Sequence, residues 1–226
     1  MLTLVLAEAE LEIMPEKLTN HPMVIAHARL RGKPASRILL DSNYHHGAMN
    51  SLPDGRRRGR PDITHLFLLT VLESIANKQG RLRIFIHTRN NDRISVLPKT
   101  RIMRNYDRFL GLMEQLFERY TVPDEKTPLL VLHQNKTLKQ VVDEAHADVV
   151  VAFSTNGKPI VLHDYFKALK EHKKKDIVCI IGGFPSGEFH ADIKNIASEC
   201  VSLYPEMLPA WTVASEILVN YENASR

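Results

Sequence analysis

Residues 176–218, DIVCIIGGFPSGEFHADIKNIASECVSLYPEMLPAWTVASEIL, restrict the folds open to this chain more than any other stretch. An apolar run at 177–181 stops at Gly182-Gly183, and a loop with Pro185 and Gly187 follows. A second apolar run, 200–203, breaks at Tyr204-Pro205, and a long amphipathic segment opens after Pro209. Strands covered on both faces of a parallel sheet read as such continuous apolar runs. Two strands ending in loops poor in bulky charge, with a helix opening beside them, describe the edge where α/β sheets take their ligands. Gly182 and Gly187 lack a Cβ, so they permit positive φ and close approach of backbone amides. The spacing GGxxxG also serves plain turns, and it is not the GxGxxG of a dinucleotide fold.

Upstream the same alternation continues. A strand is expected at 129–132, a helix at 137–146, a strand at 148–153 ending in the turn Ser154-Thr155-Asn156-Gly157, and a helix at 164–170. In the last helix, Trp211, Ala214, Ile217, Leu218 and Tyr221 fall at packing intervals. The N-terminal half begins with a strand at 2–7, then a helix opened by Pro22 that runs toward Gly32, a short strand at 38–40 and an amphipathic piece at 48–52. Pro61 fits the first turn of a helix to residue 78, with Ile63, Leu66, Phe67, Val71, Leu72, Ile75 and Ala76 as its buried face. A strand at 81–87 pairs with 94–97 across a turn. Asn105 then caps a helix whose stripe is Phe109, Leu112, Met113, Leu116, Phe117 and Tyr120. The pattern predicts an α/β fold, a mostly parallel sheet covered by helices, in one domain.

Composition narrows the functional classes. No run approaches the ~18 apolar residues that span a bilayer, and the first residues, MLTLVLAEAELE, lack the basic start of a signal peptide. Cys179 and Cys200 both fall in apolar runs, which predicts buried free thiols and a reducing, cytoplasmic setting. His45-His46 has no Cys or carboxylate at ligand spacing, so no metal is expected. The chain has no G-x-S-x-G elbow, which argues against an α/β hydrolase.

Charge is distributed unevenly. Residues 56–108 carry 13 Lys/Arg against four Asp/Glu, whereas the rest carry 17 against 22. Such segregation suggests a polyanion-binding segment at about 53–108 on a slightly acidic body. Arg60 stands immediately before Pro61, and Arg101, Arg104 and Arg108 crowd the start of the following long helix. A helix N-terminus does not favour positive charge but does favour a bound phosphate. Asp62, in the first turn, suits the helix dipole and can pair with Arg60.

Taken together, RRRGRPD, RIMRNYDRF, IIGGFPSGEF and SLYPEMLPAWTVASEIL, in this order, resemble the ribosome-biogenesis rRNA pseudouridine-N1 methyltransferases of the SPOUT, or trefoil-knot, superfamily. The resemblance runs over nearly the whole chain and is to the compact archaeal members. It implies a C-terminal knot at about 148–226 that binds S-adenosylmethionine, a homodimer, and small-subunit ribosomal RNA as partner. The implied cofactor residues are Thr155, Gly182, Gly187, Val201, Ser202, Leu203, Tyr204, Pro205, Glu206, Met207 and Leu208. Gly183 stands where the family often has alanine. Arg60, Arg101, Arg104 and Arg108 match the family's RNA-contacting arginines, with Met103 in place of a proline, which predicts a looser loop. Arg60 and Asp62 are the implied catalytic pair, Asp62 either orienting Arg60 or accepting the N1 proton. An RNA-binding assembly factor with a vestigial cofactor pocket is the other reading of the same residues.

Overall fold

A computed structural model describes residues 1–224; residues 225–226, the end of the expected knot region, lie outside the described residues. The sheet is built outward from β1 (Leu2–Ala9), whose eight positions are all buried. β1 lies between β2 (Leu82–Thr88) and β7 (Ile177–Gly182), parallel to both. Beyond β7, β6 (Val149–Pro159) and β8 (Glu199–Ser202) continue in parallel. On the other side, β3 (Arg93–Val96), β5 (Leu130–His133) and β4 (Thr121–Val122) extend the sheet antiparallel, in the order β4-β5-β3-β2-β1-β7-β6-β8. The fold is thus α/β with a mostly parallel sheet, as the patterning predicts.

Alternation along β1 builds a core on each face. Leu2, Leu4 and Leu6 join Phe67 of α3 (Pro61–Leu72), Phe109 of α5 (Tyr106–Arg119), Phe166 of α7 (Leu162–Glu171) and Ile217 of α8 (Ala210–Ala224). Val5 and Ala7 face the other way, against Leu138 and Val141 of α6 (Leu138–Asp143), whose start is fixed by a Thr137–Gln140 capping box. A third, smaller core joins α1 (Pro22–Arg31) and α2 (Ser42–Met49) through Val24, Ala28, Ile38, Leu40 and Met49.

Several local expectations are corrected. The helix expected at 61–78 breaks after Leu72, because Ser74 caps a separate turn, α4 (Ile75–Lys78), through Asn77 N. Leu66, within α3, and Ile75, in α4, are exposed rather than part of the buried face. The stretch at 38–40 makes only an isolated bridge, Ile13 to Leu39, and the amphipathic piece at 48–52 supplies only the end of a helix that starts earlier, where Asp41 caps it. Tyr120 ends α5 in a left-handed conformation and is exposed. Cys179 is buried, but Cys200 is only half-buried; both thiols are free.

β6 departs furthest from expectation. Ser154-Thr155-Asn156-Gly157 is not a terminating turn; the strand bulges there and resumes, so that Phe153 and Lys158 both pair with Val201. Gly157 permits this, since a Cβ there would lie 2.4 Å from the Val201 carbonyl carbon.

A chain of polar side chains ties the small core to α5. Tyr106 Oη donates to Asp41 Oδ2 at 2.7 Å, and Asp41 N donates to His45 Nδ1 at 3.0 Å. His45 is therefore protonated on Nε2, which donates to His27 Nδ1 at 2.9 Å. Burial, then the His27 charge, pushes the His45 imidazole down to about 4 from 6.5. Between these values the unfolded chain binds the extra proton, so the stability contributed by neutral His45 is complete above pH 6.5 and is lost as pH falls toward 4. Thermal melts should show stability falling over that window, and His45→Gln should flatten the pH dependence whatever its own stability.

Candidate functional site

Four segments meet at the carboxyl end of the parallel strands to form a cleft. Phe153, Ser154 and Thr155 come from the β6 bulge, Ile181 and Gly182 from the end of β7, and Phe184, Gly187, Glu188 and Phe189 from the loop after it. Ser202 through Leu208, apart from Pro205, together with Ala210 and Val213 of α8, close the far side. The cleft contains about 610 Å³ of space, open solvent included. Its walls are largely apolar. Among its polar residues is Glu188, whose carboxylate accepts hydrogen bonds from Ser154 Oγ (3.2 Å) and Asn156 Nδ2 (2.8 Å) and so clamps the loop to the bulge.

Most residues expected to hold a cofactor line this cleft: Thr155, Gly182, Gly187, Ser202, Leu203, Tyr204, Glu206, Met207 and Leu208. Val201 does not, because it is buried in β8 against Gly157, and Pro205 is exposed outside the walls. Phe184 lies within the loop 182–187 that the resemblance implies for the cofactor, whereas Ile181, Glu188, Phe189, Ala210 and Val213 were not anticipated. A single acid beside a loop glycine, Gly187-Glu188, was the available signal for Glu188. The glycines act differently from one another. Gly187 takes a positive φ of 85°, as its motif suggests. A Cβ on Gly182 would meet only the movable Phe184 ring, at 2.8 Å, whereas one on Gly183 would lie 2.7 Å from Ala9 Cα. Within this loop the closest backbone approach therefore belongs to Gly183.

The expected RNA residues gather on the neighbouring surface. Arg60 is the residue before α3, and Pro61 occupies the first helical position. Its guanidinium grips Asp62 with two parallel bonds, Nε to Oδ1 at 2.8 Å and Nη2 to Oδ2 at 2.7 Å. Asp62 and, more distantly, Tyr106 and Asp41 hold the Arg60 guanidinium firmly protonated. Arg101, Arg104 and Arg108 are exposed around the start of α5, which Asn105 caps through Arg108 N at 3.0 Å. His65 of α3 bonds the Met103 carbonyl at 2.7 Å and stacks on Phe109, with centroids 4.5 Å apart. That clasp supplies the restraint expected to be missing without proline, and it sets the starts of α3 and α5 side by side.

Other arginines in the basic segment turn inward. Arg57 pairs with Glu8 and Glu10, Arg58 holds Glu12 at both oxygens, and Arg89 reaches Glu10. The charge segregation in the sequence thus partly reflects internal ion pairs rather than an exposed patch.

One backbone unit joins the two halves of the site. Glu10 N donates to the Gly183 carbonyl at 3.1 Å, and Arg60 N donates to the Glu10 carbonyl at 2.9 Å. The turn bearing Arg60 and Asp62 is therefore a single residue away from the loop that walls the cleft.

Residues 4–222 match the family described as EMG1/NEP1 methyltransferase. The chain belongs to that family. It is 46% identical over 223 residues to the ribosomal RNA small subunit methyltransferase Nep1 of Methanothrix thermoacetophila, covering 99% of this chain and 96% of that protein. The protein of the same name from Thermococcus kodakarensis is also 46% identical, at 99% coverage of both. Among solved structures, Archaeoglobus fulgidus Nep1 bound to S-adenosylhomocysteine superposes with a TM-score of 0.86 at 35% identity, over 99% of this chain and 98% of that one. Among the described residues there is no group of three or more His, Cys, Asp or Glu side chains arranged to hold a metal, and no helix long and apolar enough to cross a membrane.

Gly157→Ala tests the bulge that carries Ser154 and Thr155 into the cleft. The added methyl should force β6 and β8 apart and lower stability by about 1–3 kcal/mol, measured by denaturant unfolding.

Proposed function

We propose that this chain is an S-adenosylmethionine-dependent methyltransferase that methylates N1 of a pseudouridine in small-subunit ribosomal RNA. The observation that carries the reading is the Glu10 backbone unit, which brings the Arg60-Pro61-Asp62 turn against the loop of the cleft. Family membership supports the reaction class, and the relatives' names point to the RNA.

The residues of the cleft suit the cofactor. Phe153, Ile181, Leu203, Leu208 and Val213 offer apolar walls for a purine, and Glu188 offers a carboxylate for hydroxyl or cationic groups. When bound, S-adenosylmethionine supplies an already activated methyl group on a sulfonium, so the protein's task is alignment and preparation of the acceptor. Pseudouridine is joined to ribose through carbon, which leaves N1–H free, and that proton must leave for nitrogen to attack. Arg60, held protonated at the α3 start, would favour the developing anion. Both Asp62 oxygens engage Arg60, which favours an orienting role for Asp62 over that of proton acceptor. Arg101, Arg104 and Arg108 would bind phosphates flanking the target, which must be unstacked before its base can react.

The strand order β1-β7-β6-β8 and the return of the chain to α8 fit a knotted C-terminal segment of the SPOUT kind. A homodimer packed through that region, with half-buried Trp211 of α8 near its contact, completes the assembly we propose. Work on rRNA during ribosome assembly, together with the free thiols Cys179 and Cys200, supports a cytoplasmic setting.

The test incubates pure protein with labelled S-adenosylmethionine and pseudouridine-containing small-subunit rRNA. Label should appear on N1. RNA binding without transfer would favour the assembly-factor reading. Gly187→Val, strained at φ 85° beside Glu188, should weaken S-adenosylhomocysteine binding at least about tenfold in calorimetry. Arg60→Ala and Arg104→Ala should each lower the salt dependence of RNA binding by roughly one unit of slope. Arg60→Ala should also slow single-turnover transfer, and Asp62→Asn should retain part of it.

A further inference from the structure

We propose that Arg57 positions the loop that closes the cleft, holding it open-shouldered for the cofactor without touching the cofactor itself. The inference rests on the reading of that cleft as the S-adenosylmethionine site. Arg57 does not line the cleft and is 8% exposed. It nevertheless reaches the loop in three ways. Its guanidinium carbon lies 3.7 Å over the centre of the Phe184 ring, its Nη1 donates to the Glu188 carbonyl, and its Nη2 grips Glu8 Oε2 at 2.6 Å. Glu8 in turn accepts from His190 N (2.9 Å) and Ala191 N (2.7 Å), the residues that carry the loop away from the cleft.

Phe184 and Glu188 are the two loop residues that combine direct Arg57 contact with a place in the cleft wall. With the Glu188 carbonyl fixed on one side by Arg57, the Glu188 carboxylate is aimed at Ser154 and Asn156 on the other. The anchor is itself held under strain. Glu8 has a positive φ of 51°, where β1 shifts register against β2, and its N–H donates to His87 Nδ1 at 3.2 Å. A conformation of that kind persists only where its surroundings fix it. Arg57 Nε adds a bond to Glu10 Oε1 at 2.9 Å, so one planar guanidinium spans strand β1's continuation and the loop at once. Lysine, a point charge on a flexible stem, offers neither the fork nor the flat face that this arrangement uses.

Calorimetric titration of S-adenosylhomocysteine into full-length Arg57→Met, Arg57→Lys, Arg58→Met and Gly187→Val, each about 15 °C below its own melting temperature, tests the assignment. Arg57→Met should bind about ten- to a hundredfold more weakly, the range expected for losing charge-assisted contacts, and Arg57→Lys should fall between it and the unaltered protein. RNA affinity without cofactor should fall by less than cofactor affinity, because Arg58 still holds the turn that presents Arg60. Arg58→Met is the control for general damage, because it strips Glu12 of an equally buried arginine in the same turn without touching the loop. Should Arg57→Met not fold, Arg57→Lys carries the test. Normal affinity in the Arg57 variants with weakened Gly187→Val overturns the role of Arg57 alone. Equal weakening in Arg58→Met and Arg57→Met also overturns it, as loss of the whole turn. Normal affinity in Gly187→Val overturns the cleft reading and this inference with it.

Discussion

Glu8, Glu10 and Glu12 leave the end of the central strand in a buried row, and arginines from two separate loops neutralise them. Carboxylates so far from water are tolerable only when each is paired and hydrogen-bonded. That requirement fixes where the 54–60 turn and the Arg89 side chain can lie. Arg57 answers two of the acids, Arg58 the third, and Arg89 bridges Glu10 toward Glu12. A hydrophobic joint of equal area could slide, since apolar contact is non-directional. Forked guanidinium–carboxylate bonds set distance and angle together. The turn that presents Arg60 is thereby held at a defined place over the sheet edge, and the cleft loop is held from the same row through Glu8.

The cleft depends on a second constraint, the close passage of backbones. Gly157 lets β6 bulge against β8, and Gly183 lets the β7 loop lie on Ala9. The first brings Ser154 and Thr155 into the wall, and the second sets the Gly183 carbonyl against Glu10 N. Neither contact leaves room for a Cβ. The remaining wall comes from α8, whose Ala210 and Val213 face the cleft while Ala214, Ile217 and Leu218 pack inward. One helix thus serves core and site together. The arginine surface uses rigid supports in the same way. His65, stacked on Phe109 and bonded to Met103, lets a loop without proline present Arg101 and Arg104 at a fixed height above α3.

The sequence by itself determined the α/β class, the first strand, the helix capped at 105, and the two basic helix starts, because each is written in local periodicity or a single cap. It also carried the family motifs, and through them most of the cleft. What it did not determine depends on distant partners. The Ser154–Gly157 turn signal was indistinguishable from a strand end until Val201 lay beside it. The inward turn of Arg57, Arg58 and Arg89 could not be told from a solvated basic face, since their acids lie more than forty residues away in the sequence. Glu188, Phe189 and Val213 entered the site for the same reason. Local pattern records which side chains are apolar, charged or missing a Cβ; only the tertiary structure decides which of them meet, because burial, charge pairing and close backbone contact are properties of segments brought together.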